Sequence, residues 1–406
     1  MLLRANEARV LTAGNTGANT YGGSTTIGAG TLQLGNGVTA GSLATSGVTN
    51  NGSLAFDVPV DTTVSYSISG SGNVQVTGAQ TALSTGFLSS AWQTVASNMS
   101  VAEFYSRLTG GRESGGSIGG TVEAGIYLGN FNASTNTASF QIQQYADNGA
   151  GNQYTKVVFV KLQQSGANVQ AAVDVSNGYG AGYTPGNALG NTHINLVTYT
   201  TNSATGWYGV DQLNLGAKVI FAGNNSYSGT TTLSNTIASV ATGVGQYSTT
   251  IKSMLQIGSG FTSGSLGTGS VTNSGILSFN RSDTATANNS ISGSGQLFQI
   301  GSGTTILGGA NSYTGGTTIT TGTLQGTTSS LQGSIIDDAA LVFDQTTTGS
   351  YSSVISGSGT VTKSNVGAVT FSNANSYSGA TLISGGTLAI TNALGLGSSS
   401  LSLIHI

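Results

Sequence analysis

The stretch that decides the fold of this chain reads Gly309-Ala310-Asn311-Ser312-Tyr313-Thr314-Gly315-Gly316-Thr317-Thr318-Ile319, followed by Gly322-Thr323-Leu324-Gln325. Its first half holds Asn, Ser and Gly, residues that accept left-handed backbone conformations and favour tight turns. Its second half alternates polar and apolar residues in short runs, as strands with one buried face do. We therefore predict a turn followed by two short β-strands.

The same pattern occurs three more times. Tyr313 and Tyr377 mark successive copies with three turn-and-strand segments between them, so each segment has roughly 21 residues. That length suits a solenoid, in which each unit buries its apolar face only against its neighbours. The other copies lie at residues 17–34, at 224–233 (interrupted by about twenty residues before Leu255) and at 374–388.

Two further signatures follow the turns. Residues 49–56 match 272–279 and, more loosely, 337–343, and Ile68-Ser69-Gly70-Ser71-Gly72 recurs at 291–295 and 355–359. Several segments thus separate one repeat tyrosine from the next, so the tyrosines are too far apart to form a continuous row that binds a ligand. We expect them to pack at a corner of the coil instead. We predict a structural role for the repeat residues Asn19, Tyr21, Tyr227, Asn311, Tyr313, Asn375 and Tyr377.

Composition supports stacked strands. The 406 residues include 64 Gly, 2 Pro and no Cys, with a net charge of −3 from 10 basic and 13 acidic side chains. So few prolines leave the backbone N–H groups free to join a ladder. Ten scattered basic residues give no footprint for nucleic acid and no polybasic segment for a membrane surface, so neither partner is expected.

The repeat, N-[ST]-Y-[ST]-G-x-T-T-[IL] followed by G-T-L, resembles the autotransporter-associated β-strand repeat, also called the passenger-associated transport repeat. The resemblance covers about residues 10–78 and 216–400. It implies an all-β fold, a right-handed parallel β-helix, in a passenger exposed at the bacterial cell surface and associated with the outer membrane. It also implies a translocator barrel beyond this sequence, so that this part does not contact the membrane directly.

Residues 79–215 carry no repeat and are predicted to form an inserted, β-rich globular module. The spacing in 90–99 and 101–108 favours one or two short helices, and 139–145, 155–163 and 168–175 are predicted as antiparallel strands. A glycan could stack on Trp207, Tyr208 or Tyr183 in this module. The alternative is that these aromatic side chains fill its core.

Residues suited to catalysis are few. Asp337 and Asp338 are adjacent, which in a strand puts them on opposite faces, and Asp57 and Asp61 flank Pro59 in an expected loop. His193 is the one histidine outside the last six residues, which disfavours a His-based triad or metal site. We predict no enzyme, no cofactor and no metal site.

The predicted organisation is therefore a β-helix over 1–78, the module over 79–215, and a second β-helix segment over 216–400. Residues 401–406 resemble the translated end of a sequencing adapter, and the chain is expected to be a fragment lacking its signal peptide. The expected role is a structural or adhesive stalk whose partners are surface glycans or other cells. The alternative is a carbohydrate-binding or polysaccharide-degrading passenger, active through the module or through regions outside this sequence.

Overall fold

The structure is a computed structural model of the full chain. The residues that it describes are 10–13, 22–78, 80–84, 92–97, 99–108, 111–114, 122–132, 135, 137–147, 153–173, 197–202, 207–242 and 245–403.

The chain divides into two compact units. The solenoid unit comprises Met1–Ala79, Ala217–Asn235 and Lys252–Ile406, and the module comprises Gln80–Gly216 and Thr236–Ile251. The predicted boundaries differ at one point, because the sequence leaves 236–251 inside the second solenoid segment. In the structure Thr236–Thr242 and Gly245–Ile251 pair antiparallel with each other, so they do not stack as a parallel coil.

The elements follow one another in chain order. Before the module they are β1 (Val10–Ala13), β2 (Thr25–Ile27), β3 (Thr31–Leu34), β4 (Gly47–Asn50), β5 (Ser53–Phe56), β6 (Thr62–Val64), β7 (Ser67–Ser69) and β8 (Asn73–Thr77). The first module segment has β9 (Gln80–Ser84), β10 (Gln93–Ser97), α1 (Val101–Arg107), β11 (Gly111–Ser114), β12 (Val122–Asn132), β13 (Thr137–Asp147), β14 (Gln153–Ser165), β15 (Asn168–Val173), β16 (Val197–Asn202) and β17 (Trp207–Gly216). Next come β18 (Lys218–Phe221) and β19 (Thr231–Ser234), then the module hairpin β20 (Thr236–Thr242) and β21 (Gly245–Ile251).

The remaining strands all belong to the solenoid. They are β22 (Met254–Ile257), β23 (Val271–Asn273), β24 (Ile276–Phe279), β25 (Thr284–Ala287), β26 (Ile291–Ser292), β27 (Gln296–Gln299), β28 (Thr304–Leu307), β29 (Thr317–Ile319) and β30 (Thr323–Gly326). They continue with β31 (Ile335–Asp337), β32 (Ala340–Asp344), β33 (Gly349–Tyr351), β34 (Ile355–Ser356), β35 (Thr360–Ser364), β36 (Ala368–Phe371), β37 (Thr381–Ile383), β38 (Thr387–Ile390) and β39 (Leu401–Leu403).

Every strand pair in the solenoid is parallel among the residues described. Thr323 pairs with Ala340 and Thr25 with Val48, so uninterrupted coils advance by 17 to 23 residues. Each short strand thus pairs with the corresponding strand of the next coil, and the two strands are about 4.8 Å apart. The predicted all-β fold of stacked parallel coils is confirmed.

The core of the solenoid is a continuous column of apolar side chains. Along one sheet Leu34 lies in register with Phe56, Phe56 with Val76, and Val76 with Leu233, and each is at most 1% exposed. Farther along, the rings of Phe343 and Phe371 meet edge to face at 5.3 Å. Full burial of such side chains stabilises by roughly 1.5–3 kcal/mol each, and only stacking provides it.

Successive copies of the repeat do not lie above one another. The Thr-Thr strands β2, β19, β29 and β37 belong to four different sheets. A coil takes about 20 residues, as in the pairing of Leu277 with Leu297, whereas Tyr313 and Tyr377 are 64 residues apart. The spacing between two copies therefore exceeds the length of three coils by a few residues. Each new copy begins about one strand farther round the coil than the copy before it.

The module is a separate antiparallel unit. Its main sheet has eight strands in the order β10-β15-β14-β13-β12-β11-β21-β20, and β16-β17-β9 form a second sheet. The three predicted antiparallel strands are present as β13, β14 and β15.

One of the predicted helix segments is a helix and the other contains a strand. Ser100 caps α1 by accepting a hydrogen bond from the Glu103 N–H at 3.0 Å. Arg107, 1% exposed, pairs with Glu103 at 3.4 Å and donates to the Gly216 carbonyl at 2.9 Å. Gln93–Ser97, in contrast, is β10, because its backbone pairs with β15. Across the described residues no helix combines the length and apolar character needed to cross a bilayer.

Candidate functional site

The feature that the sequence repeats most faithfully is a turn in which an asparagine joins three coils. The Asn311 Oδ1 atom accepts the N–H of Ile291 at 2.8 Å, and its Nδ2 donates to the Ser330 carbonyl at 2.7 Å. Ile291 belongs to the preceding coil and Ser330 to the following one. Both partners are main-chain groups, so this side chain continues the backbone ladder through a turn that contains no strand.

The other two described copies have the same geometry. Asn375 accepts from the Ile355 N–H at 2.8 Å and donates to the Gly395 carbonyl at 2.6 Å. Asn225 accepts from the Ile68 N–H at 2.8 Å and donates to the Ser265 carbonyl at 2.7 Å. We call this arrangement the asparagine clamp, formed by Asn225, Asn311 and Asn375.

The tyrosine two residues later packs into the core. Tyr227, Tyr313 and Tyr377 are at most 1% exposed, and each hydroxyl bonds to the Thr hydroxyl four residues on at 2.7 to 2.8 Å. Desolvation by burial raises the pKa of all three phenols. The pair of Tyr and Thr thus buries a large ring while satisfying its polar end.

Glycines allow the coils to approach closely at these turns. Gly293 has φ +105°, and a Cβ there would lie 2.2 Å from the Asn273 carbonyl oxygen. A Cβ on Gly315, in the next turn, would lie 2.4 Å from the Gly295 carbonyl oxygen. These contacts explain the Ile-Ser-Gly-Ser-Gly signature, whose Ile supplies the N–H to the clamp and whose Gly residues leave room for the neighbouring coil.

The side chains predicted to bind a ligand lie outside what the structure describes. Trp207 and Tyr208 begin β17, but their side chains lie outside the described residues, as does all of Tyr183. Asn19, Tyr21 and His193 also lie outside them. Trp92, in the same module, is 41% exposed. Glycan binding by the module therefore stays a prediction.

The carboxylates considered for catalysis occupy structural positions. Asp61 accepts a hydrogen bond from the Lys218 N–H at 3.0 Å, and partial burial raises the pKa of Asp57. Asp337 is 0% exposed, and its burial raises its pKa to about 7. Asp338, on the other face, accepts from the Ser358 N–H at 3.1 Å. Within the described ranges no three His, Asp or Glu side chains are grouped so that they could hold a metal ion.

A cavity of about 420 Å³ lies in the solenoid beside β25, where Arg281 and Phe279 contribute to its lining. The Arg281 guanidinium pairs with Asp283 at 2.7 Å and donates to the Gly264 carbonyl, also at 2.7 Å. It therefore bridges two coils at a place where the loop before β23 interrupts the regular stack. Its charge is balanced by Asp283, so the arrangement supports the fold and shows no preference for an anion.

One buried cation was not singled out from the sequence. Lys363 is 1% exposed, and its ammonium donates to three main-chain carbonyls, those of Ser364, Asn365 and Gly385. Desolvation lowers its pKa. The residues that pair with Lys363 on the neighbouring strands, Phe343 and Ile383, are apolar. The sequence pattern therefore does not show that the carbonyls of the following turn need a hydrogen-bond donor.

Together the stacked coils and the asparagine clamp define a parallel β-solenoid built from a repeat of about three coils. The profile of the passenger-associated-transport-repeat family matches residues 10–34, 216–235, 297–325 and 361–390, so four segments of the chain are similar to that repeat. The last three contain the clamps of Asn225, Asn311 and Asn375. The resemblance seen in the sequence is confirmed. No curated protein and no solved structure matches the chain.

Proposed function

We propose that this chain is part of an exported passenger, a rigid β-solenoid stalk that stands at the bacterial cell surface and presents the module. The observation that carries the proposal is the continuity of the stack. β8 pairs with β19 in full register although the first module segment separates them in sequence. A stalk that carries an insertion without losing its ladder is suited to holding that insertion away from its base.

The chemistry of the coils supports a passive role for the stalk. Its polar side chains are mostly Ser, Thr and Asn. Among the buried ones, Asn311 donates to the Ser330 carbonyl of the next coil, and Thr317 bonds to the Tyr313 hydroxyl. Asp337 is enclosed by the coils and cannot reach a substrate. We therefore assign the solenoid no catalytic step, and adhesion to glycans or to other cells falls to the module.

Cell-surface exposure can be tested with the natural gene. Intact cells are labelled with antibodies raised against the solenoid and against the module, and cells are then treated with protease before and after permeabilisation. We expect both antibodies to label intact cells. Labelling that requires permeabilisation would contradict the surface location.

The adhesive role needs a separate experiment. Cells that display the full chain are compared with cells that display a chain lacking 80–216 and 236–251, for binding to a glycan array and to other cells. We expect binding to depend on the module. Equal binding by both strains would show that the module is not responsible for adhesion. It would not contradict the proposal that the solenoid is a stalk.

A further inference from the structure

Asp337 holds a position that asparagine holds in two other coils. Asn50, Asn273 and Asp337 each end a strand just before a turn, and each main-chain carbonyl accepts the N–H of a glycine: Gly72 at 2.7 Å, Gly295 at 2.8 Å and Gly359 at 2.7 Å. The three residues are therefore equivalent in the stack, and their side chains can be compared atom by atom.

In the two asparagines the side-chain nitrogen joins one coil to the next. Asn50 Nδ2 donates to the Asn73 carbonyl at 2.8 Å, and Asn273 Nδ2 donates to the Gln296 carbonyl at 3.0 Å. Both acceptors lie 23 residues farther along the chain. The acceptor at the same distance from Asp337 is the carbonyl of Thr360, whose N–H bonds to Ala339 as the N–H of Gln296 bonds to Gly275.

One oxygen of Asp337 matches the asparagine pattern and the other does not. Asp337 Oδ1 accepts the Ala339 N–H at 3.1 Å, as Asn273 Oδ1 accepts the Gly275 N–H at 3.0 Å. Asp337 Oδ2 takes the place of the donating nitrogen and is buried without a hydrogen-bond partner. An ionised Oδ2 would face a carbonyl oxygen, acceptor against acceptor, in a site with 0% exposure.

We propose that the Asp337 carboxyl is a proton-binding site: in the folded chain Oδ2 carries a proton and donates it to the Thr360 carbonyl, so that pH sets the strength of this junction between coils. The proton restores the bond that an asparagine makes at the other two positions. Burial, which raises the pKa of Asp337 to about 7, favours the same protonated form.

The charged surroundings do not supply an alternative partner. Asp338, which follows β31, adds a like charge that also raises the pKa of Asp337, and the charge of Asp337 in turn raises the pKa of the Tyr377 phenol. β29 and β34, which flank β31, contribute no titratable side chain. On β35 the ammonium of Lys363 is directed to the three carbonyls described above.

The direction of the pH effect follows from linkage. The unfolded carboxyl has a pKa near its ordinary value of 3.8, and the folded one has a pKa of about 7. Between these values the folded chain holds a proton that the unfolded chain has lost, so stability falls as the pH rises and levels off above about 7. The junction is strongest in acid.

The test compares thermal unfolding midpoints of the full chain and of Asp337→Asn between pH 5 and pH 8.5. We expect D337N to melt about 3 °C or more above the wild type at pH 8, with a smaller gap at pH 5. The control D338N removes the neighbouring like charge, so it should move the pH-dependent loss of stability to slightly lower pH without abolishing it. A gap for D337N that does not grow with pH would overturn the proposal.

A reciprocal variant and a spectroscopic signal make the test independent of one substitution. Asn273→Asp should introduce a new loss of stability between pH 5 and pH 8. The infrared difference between wild type and D337N at pH 6 should show the carbonyl stretch of a protonated acid, which disappears above pH 8. A wild-type carboxyl that is ionised at pH 6, or an N273D variant insensitive to pH, would contradict a proton at this position.

Discussion

At the scale of the residue, the asparagine clamp shows how one side chain can replace a strand. Asn311 pairs with the Ile291 N–H of the preceding coil and with the Ser330 carbonyl of the following coil. Without this side chain both buried groups would lack a hydrogen-bond partner. Leaving a buried backbone group unpaired costs about 1–3 kcal/mol. Each clamp therefore avoids two such penalties, without contributing any apolar area of its own.

Asn311→Ala tests this value directly. We expect the free energy of unfolding to fall by about 2–4 kcal/mol, because the Ile291 N–H and the Ser330 carbonyl both lose their partner. Urea-induced unfolding measures the change. The control is Asn288→Ala at an exposed asparagine, which should stay within about 0.5 kcal/mol of wild type. Equal effects of the two variants would deny the clamp its role.

Sequence reasoning recovers only part of this residue-scale picture. The spacing of Tyr313 and Thr317 is local, so their pairing can be read from one copy of the repeat. The hydrogen-bond partner of a clamp asparagine cannot be read in this way, because it comes from another coil. The N–H that Asn311 accepts lies 20 residues earlier in the chain, and the one that Asn225 accepts lies 157 residues earlier. The match of 337–343 to 272–279 already places Asp337 at the position of Asn273, but the missing donor becomes visible only from the partners of the two side chains in the structure.

At the scale of the element, turns decide how closely coils can stack. Strands of two to five residues offer few hydrogen bonds each, so the ladder must continue through the corners. Gly293 permits this because its φ of +105° and its missing side chain let the Asn273 carbonyl approach. A side chain at that position would have to push two coils apart.

Gly293→Ala is therefore expected to destabilise the solenoid by about 2 kcal/mol or more, since a Cβ would lie 2.2 Å from the Asn273 oxygen in a strained backbone. Chemical unfolding again provides the measurement. The matched control is Gly28→Ala, where no atom lies within 4 Å of a Cβ, so stability should be unchanged or slightly raised. A G293A variant as stable as G28A would show that the coils are not in close contact here.

The element scale also shows where sequence patterns mislead. The apolar residues near Trp92 suit a helix, yet Gln93–Ser97 pairs with β15, and tertiary pairing overrides so short a pattern. The sequence assigns no element to the residues that interrupt the copy of the repeat at 224–233. They form the hairpin β20–β21, whose partner β11 lies more than a hundred residues earlier. Long-range pairing of this kind leaves no periodic trace in the sequence.

At the scale of the whole molecule, the solenoid treats the module as an insertion. Before the first segment β8 ends at Thr77, and after it β18 begins at Lys218; β19 then lies directly on β8. Around the second segment the Asn235 Oδ1 atom accepts the Ser253 N–H at 3.0 Å, so the two ends are close together. The coils should therefore not need either segment in order to stack.

Removal of both module segments tests this independence. A chain in which 80–216 and 236–251 are replaced by short Gly-Ser links should keep a circular dichroism spectrum of β-structure and a cooperative thermal transition. The buried apolar cluster of the solenoid, from Ile27 to Tyr377, contains no residue of either module segment. A shortened chain that is unfolded in solution would show that the solenoid depends on the module.

The central claim is that the chain forms a stack of parallel coils with a fixed rise. Thr286 and Leu382 are five register steps apart, through Ile306, Gln325, Val342 and Thr362. Because the chain has no cysteine, T286C and L382C place one spin-label pair without background. Five steps of about 4.8 Å predict a narrow electron–electron distance distribution near 25 Å. A broad distribution, or one centred beyond about 40 Å, would contradict the solenoid.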